Sequence, residues 1–201
     1  MSKLLKGAVS FTSFRPEGEV PTRERTRELI ETQLFKPLKA EEERDESVGW
    51  VDAIWSFDTE RLPNLFSGAT LLLSMRIDRY AFSSSQLRPY LEEAEYHYKT
   101  TNRLEYISAQ QKKEIRDAEI RRMRTNSYPK TQIVEIAWKI DEKTLYLFSQ
   151  SSAAIKRFIP LFENSFGFSL EQSELIDESI ASGKSHDGTN LLNLWEGTHN
   201  G

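Results

Sequence analysis

Along this chain the spacing of hydrophobic and polar positions changes period, and each change marks an element. Val9 and Phe11 lie on one side of an alternating run over residues 5–14, which predicts a first strand ending at Arg15-Pro16-Glu17-Gly18. From about Thr22 the spacing lengthens to that of a helix. Thr26, Leu29, Ile30, Gln33 and Leu34 share its inner face, and Pro37 stops it. Ala40 to Glu46 is a run with five acids and reads as a solvated loop. Val48-Gly49-Trp50-Val51 followed by Ala53-Ile54-Trp55-Ser56-Phe57 predicts a strand, or a strand bent at Gly49. A long strand is expected from Ala69 to Phe82. It is apolar on both faces up to Leu73 and alternates through Met75, Arg76, Ile77 and Asp78, as a central strand does whose far end emerges into water.

Two helices follow, each opened by a capping box: Ser83 with Gln86, and Ser108 with Gln111. The first places Leu87, Tyr90, Leu91, Ala94 and Tyr98 at helical spacing. The second, Ser108 to about Asn126, has only the sparse stripe Ile107, Ile115, Ala118, with Ile120 and Met123 set off from it. So weak a stripe on so charged a helix predicts an arm that leaves the core. Val134, Ile136, Trp138 and Ile140 then alternate with Glu135 and Lys139, and Asp141-Glu142-Lys143 turns the chain into Leu145-Tyr146-Leu147-Phe148, a hairpin signal. A helix from Ser151 buries Ile155, Phe158, Ile159 and Phe162. Phe166 and Phe168 suggest a short strand, and Ser169 with Gln172 a cap for a last helix to about Ala181. The stretch 183–201 reads as a flexible or loosely docked tail, with Leu191, Leu192, Leu194 and Trp195 available to dock. Together these elements predict an α+β fold: an antiparallel or mixed sheet, helices on one side, and a protruding charged helical pair as an arm over about 84–126. A single domain over 1–182 is expected.

Composition narrows the function classes. The 201 residues hold no cysteine, which excludes disulfides, thiolate nucleophiles and Cys-ligated zinc and suits a reducing compartment. The N-terminus Met1-Ser2-Lys3-Leu4-Leu5-Lys6 lacks the apolar run of a signal peptide, and no stretch approaches a membrane span, so a cytoplasmic protein without a membrane partner is expected. The formal charge of -4 counts against a polyanionic partner, but its distribution is uneven. Between Ser108 and Lys130 the seven basic residues Lys112, Lys113, Arg116, Arg121, Arg122, Arg124 and Lys130 face three acids, Glu114, Asp117 and Glu119. The balancing acids lie mostly in Glu17 to Glu46 and after Glu163, a segregation suited to offering one face to nucleic acid.

Candidate chemistry is otherwise thin. The nine glycines form neither a P-loop nor a dinucleotide fingerprint, and no small-molecule cofactor is expected. His97, His186 and His199 are far apart and offer no paired metal spacing. His97 reads as a partly exposed helix residue beside Tyr96 and Tyr98, and His186-Asp187-Gly188 lacks the further ligands of a metal hydrolase. Asp141-Glu142-Lys143 has the residue types of a two-metal nuclease but occupies the hairpin turn, where turn preference explains it. Trp50, Trp55 and Trp138 read as core or interface aromatics rather than base platforms. No catalytic or metal residue is therefore assigned, and the basic helix remains. Residues three or four apart share a face, so Lys112, Arg116 and the Lys113 row fit a backbone groove. Charge alone also fits a solvated helix laced with Glu–Lys pairs.

Several segments in order resemble the RdgC family of recombination-associated proteins. They are the early Phe11 strand with its amphipathic helix, Val48-Gly49-Trp50-Val51, the strand Ala69 to Ile77, and the charged helical pair. Ile136-Ala137-Trp138-Lys139-Ile140-Asp141 and Ser151 to Phe162 complete the set. The resemblance spans about residues 5–168, and its most specific parts are the Gly-Trp-Val element and the Trp-x-Ile-Asp hairpin. It implies an α+β, non-enzymatic protein of the nucleoid that binds DNA with little sequence preference. It further implies a homodimer able to enclose duplex, and a part in restraining recombinase-driven strand exchange. Lys112, Lys113, Arg116, Arg121, Arg122, Arg124 and Lys130 are then the expected phosphate contacts. The chain departs from the family by stopping where its C-terminal part begins, and by continuing Val51-Asp52-Ala53 after Trp50 where the family has prolines. It reads as a diverged, C-terminally shortened member. The alternatives are a protein-interaction module that keeps the fold without DNA binding and, behind it, a metal-dependent nuclease.

Overall fold

Alternation along the strands sorts a seven-stranded sheet into two faces. The computed structural model describes residues 10–42 and 44–173. Its elements run β1 (Thr12–Glu17), α1 (Arg23–Glu31), β2 (Glu46–Val51), β3 (Phe66–Ser67), β4 (Thr70–Arg79), α2 (Ser84–Asn102), α3 (Ala109–Thr125), β5 (Lys130–Lys139), β6 (Thr144–Leu147), α4 (Ser152–Phe166) and β7 (Ser169–Ser173). The strand order is β2-β4-β5-β6-β1-β7, with β3 beside β4. The pairs β1–β6, β1–β7, β3–β4 and β5–β6 are antiparallel. The protein is of the α+β class.

The described chain divides into two compact units. One takes the chain up to Lys36, Val48–Ile77 and Gln132 onward; the other takes Pro37–Ser47 and Asp78–Thr131. The arm expected over 84–126 thus belongs to a unit that also contains the acidic run before β2.

In the first unit, Phe14, Leu71, Leu73, Met75, Ile77, Val134, Ile136, Trp138, Leu145 and Leu147 point to one face of the sheet, where Ile30 of α1 and Phe158 and Phe162 of α4 cover them. Trp138 meets Phe162 and Phe166 edge-on at 5.5 and 5.3 Å between ring centres. On the opposite face Leu72, Ala137, Tyr146, Phe148 and Phe11 form a smaller cluster. Leu72 is therefore the residue that makes β4 apolar on both sides.

The Gly-Trp-Val element is built for this core. Trp50 is 1% exposed and donates its indole N–H to Ser165 Oγ at 2.8 Å, so the ring is buried without leaving its one donor unpaired. Gly49 does not bend the strand: the segment 33–35 runs alongside β2, with Phe35 N–H donating to Trp50 O and Trp50 N–H to Gln33 O, both at 2.9 Å. A Cβ on Gly49 would come within 2.5 Å of Phe35 Cα, so only glycine permits the approach. The same pairing explains why α1 ends at Glu31, well before Pro37.

Two further expectations are corrected. Ala53 to Phe57 is a loop and not a strand, because the Asp52 carboxylate, 1% exposed, gathers the N–H groups of Ile54, Trp55 and Asn64 at 2.9–3.0 Å. Trp55 is left 64% exposed, whereas Trp50 and Trp138 are core residues as expected. Ser169 does not cap a helix. Gly167, at φ 78°, ends α4, and residues 169–173 pair with β1 as a strand while Ser169 Oγ donates to Glu17 at 3.2 Å. The open edge of β1 outweighs the local capping preference, as tertiary pairing commonly does. The rest of that expected helix and the expected tail lie outside the described residues.

Candidate nucleic-acid interface

The second unit is a helical hairpin whose ends are fixed by the sequence. Ser83 and Ser108 each accept the backbone N–H three residues on, from Gln86 and Gln111, and those glutamines accept the serines' N–H at 2.9 Å. Both capping boxes are as predicted. The helices are antiparallel: Gln111 donates to the Tyr98 hydroxyl at 3.3 Å, Lys112 pairs with Glu95 at 3.3 Å, and the Arg122 guanidinium lies 5.5 Å from the Tyr90 ring centre. Ala94, Ile115 and Ala118 floor a groove of about 580 Å³ between them. The sparse stripe on α3 therefore faces α2.

Six of the seven basic residues assigned to DNA are exposed, and the seventh is not. Lys113, Arg116, Arg121 and Lys130 are exposed and make no ion pair among the described residues. Lys112 is exposed but shared with Glu95. Arg122 donates to the Glu119 carboxylate, 2.7 Å away, and this hydrogen bond raises the guanidinium pKa above its already high ordinary value, so a phosphate would have to compete with that carboxylate.

Arg124 is the correction. It is 5% exposed, its guanidinium donates to Glu42 O at 2.7 Å and pairs with Asp45, and it lies 5.5 Å from the Tyr80 ring centre. A guanidinium so enclosed has no face for a phosphate. The acidic run, expected to be a solvated loop, supplies its partners. Sequence counting could not separate Arg124 from its neighbours, because burial depends on residues some eighty positions away.

Along α3 the exposed cations are not one stripe. Lys112, Lys113 and Arg116 fall on adjoining rows, whereas Arg121, five residues past Arg116, is turned from it by roughly 140°. Lys99 and Arg103, at the far end of α2, add two cations without ion pairs among the described residues. The sequence reading missed them by counting from Ser108; a count over both helices would have found them. His97 is an exposed helix residue, 3.9 Å from Glu93. Lys139 pairs with Glu142 at 3.0 Å across the turn that Asp141-Glu142-Lys143 forms, and among the described residues no three His, Cys, Asp or Glu side chains gather as metal ligands do. Among the described residues, too, no helix is long and apolar enough to cross a membrane.

Fold and site together describe an α+β protein carrying a basic helical hairpin. No protein-family model matches the chain, and no curated protein matches it.

Proposed function

We propose that the protein binds DNA without sequence preference through phosphate contacts from α3, and that it acts in DNA recombination, restraining strand exchange at the nucleoid. The observation that carries the reading is the set Lys113, Arg116, Arg121 and Lys130, exposed and without ion pairs among the described residues, whereas Lys112 and Arg122 on the same helix are tied to glutamates. Cations without acid partners attract a polyanion most strongly, because no competing carboxylate must be displaced. They offer charge rather than base recognition, which positions a backbone and reads no sequence. The recombination setting and a homodimer rest on the likeness to the RdgC family. The reading assigns no catalytic role.

Fluorescence anisotropy with a labelled duplex and a labelled single strand, each over a salt series, tests it. Binding to unrelated sequences should be similar and should weaken steeply with salt. Reversal of Lys113, Arg116 and Arg121 to Glu should abolish binding while the protein stays folded; retained affinity sinks the assignment. The groove floored by Ala94, Ile115 and Ala118 favours a second reading, a protein-interaction module that takes an amphipathic partner segment. Its mark is a partner captured through the groove together with no DNA binding at low salt.

A further inference from the structure

We infer that the turn between α2 and α3 stacks an unpaired nucleobase of DNA on Tyr106, so that the hairpin favours single strands over duplex. This rests on the phosphate-binding reading of α3. Tyr106 is 78% exposed and Leu104 beside it 36%. The turn is pinned on both sides. Arg103 takes the left-handed conformation, φ 53°, and Leu104 N–H donates to Lys99 O at 3.0 Å, while the Ser108–Gln111 box closes the other end and Gln111 ties it to Tyr98. The ring is thus carried by a backbone held on both sides and left open to water, which lowers the cost of ordering the turn when a ligand arrives.

Lys99 and Arg103 flank the turn on one side and Lys112 and Lys113 on the other; only Lys112 is matched, by Glu95, and Glu105 is the single acid within the turn. An aromatic face among cations suits a nucleotide: the ring takes the base and the cations the flanking phosphates. Every base has a π-face, so stacking adds affinity without adding sequence preference. A duplex keeps its base faces in the stack, whereas a single strand offers them. Of the other exposed aromatics, Tyr90 is already met by Arg122, Tyr96 packs against His97, Tyr128 has one cation, Lys130, within three residues, and Trp55 and Phe57 lack this field. Asp58 follows Phe57 and holds Arg61 at 2.9 Å, and the nearest guanidinium, Arg76, already lies 5.1 Å from the Phe57 ring centre.

The test uses the full chain and its Tyr106→Ala and Tyr106→Trp variants, with anisotropy measured on a labelled thymidine strand, an abasic strand of equal length and a duplex at one salt concentration. The wild type should bind the thymidine strand more tightly than the abasic one. Tyr106→Ala should weaken the thymidine strand by about ten-fold and leave the abasic strand and duplex within about two-fold, while Tyr106→Trp preserves or improves it. Equal loss on all three ligands, or no loss on the thymidine strand, overturns the inference. If the wild type binds none of the three, the phosphate-binding reading fails and this one with it. If it binds all three and Tyr106→Ala changes nothing, stacking alone falls.

Discussion

A guanidinium that leaves water needs acceptors for its N–H groups, and Arg124 finds them for Nη1 in Glu42 O and for Nη2 in Asp45, while its buried Nε has no acceptor among the described residues. Removing it takes the donor from the partly buried Glu42 carbonyl but leaves Asp45, whose side chain is 69% exposed, free to be hydrated. Arg124→Ala should therefore cost about 1–3 kcal/mol, read from chemical denaturation, and change DNA affinity little at temperatures where the variant is folded. Arg124→Lys should recover only part, because an ammonium on a single stem does not reach both acceptors. A large affinity loss in a fully folded Arg124→Ala protein would return the residue to the interface. Asp52 is the matching acid. Its buried carboxylate organises the loop to Asn64, and Asp52→Ala should cost about 2–3 kcal/mol by leaving several N–H groups without an acceptor. Asp58 titrates oppositely to a group raised by its surroundings. The Glu60 N–H, then Arg61, holds its pKa below the ordinary carboxylate value. Its stabilising effect is present above the unfolded pKa and fades as pH falls through the lowered folded value, which a carboxyl NMR titration would follow.

At the scale of elements, the hairpin has little apolar burial to hold it, with Leu87 the one fully buried apolar residue of α2 and none in α3. Caps and cross-helix contacts must then count for more than in a buried helix. Ser108→Ala removes the acceptor for Gln111 N–H, and should cost about 1 kcal/mol and raise amide exchange in the first turn of α3. Unchanged exchange there would mean that the contacts of Gln111 with Tyr98 and Lys112 with Glu95 fix the turn without the cap. In the first unit the close approach at Gly49 makes the opposite prediction. Gly49→Ala meets backbone rather than a side chain that could swing away, and should cost about 1–3 kcal/mol in a thermal or denaturant melt.

Over the whole molecule the formal charge of -4 disfavours a polyanion, so any affinity must come from local charge and must be screened by salt. With Lys113, Arg116, Arg121 and Lys130 each displacing one counterion, the slope of log affinity against log salt for duplex should be about -3 to -4, and Arg116→Ala should make it shallower by about one. A slope near zero would remove the phosphates from the account.

The two capping boxes, the hairpin over residues 130–147, α1, α4 and the α+β class were all legible in sequence, because each rests on local preference or on a short period. Contacts distant in sequence decided the rest. The edge of β1 drew residues 169–173 into a strand against a good helix cap, and the Asp52 carboxylate turned an aromatic run that looks like a strand into a loop. The approach of Phe35 gave Gly49 its purpose. Seven basic residues could be counted, but only packing divides them into four without ion pairs among the described residues, two tied to glutamates and one enclosed by an acidic run some eighty residues away. Charge is a property of the residue and is written in the sequence, whereas its availability depends on what the folded chain brings beside it.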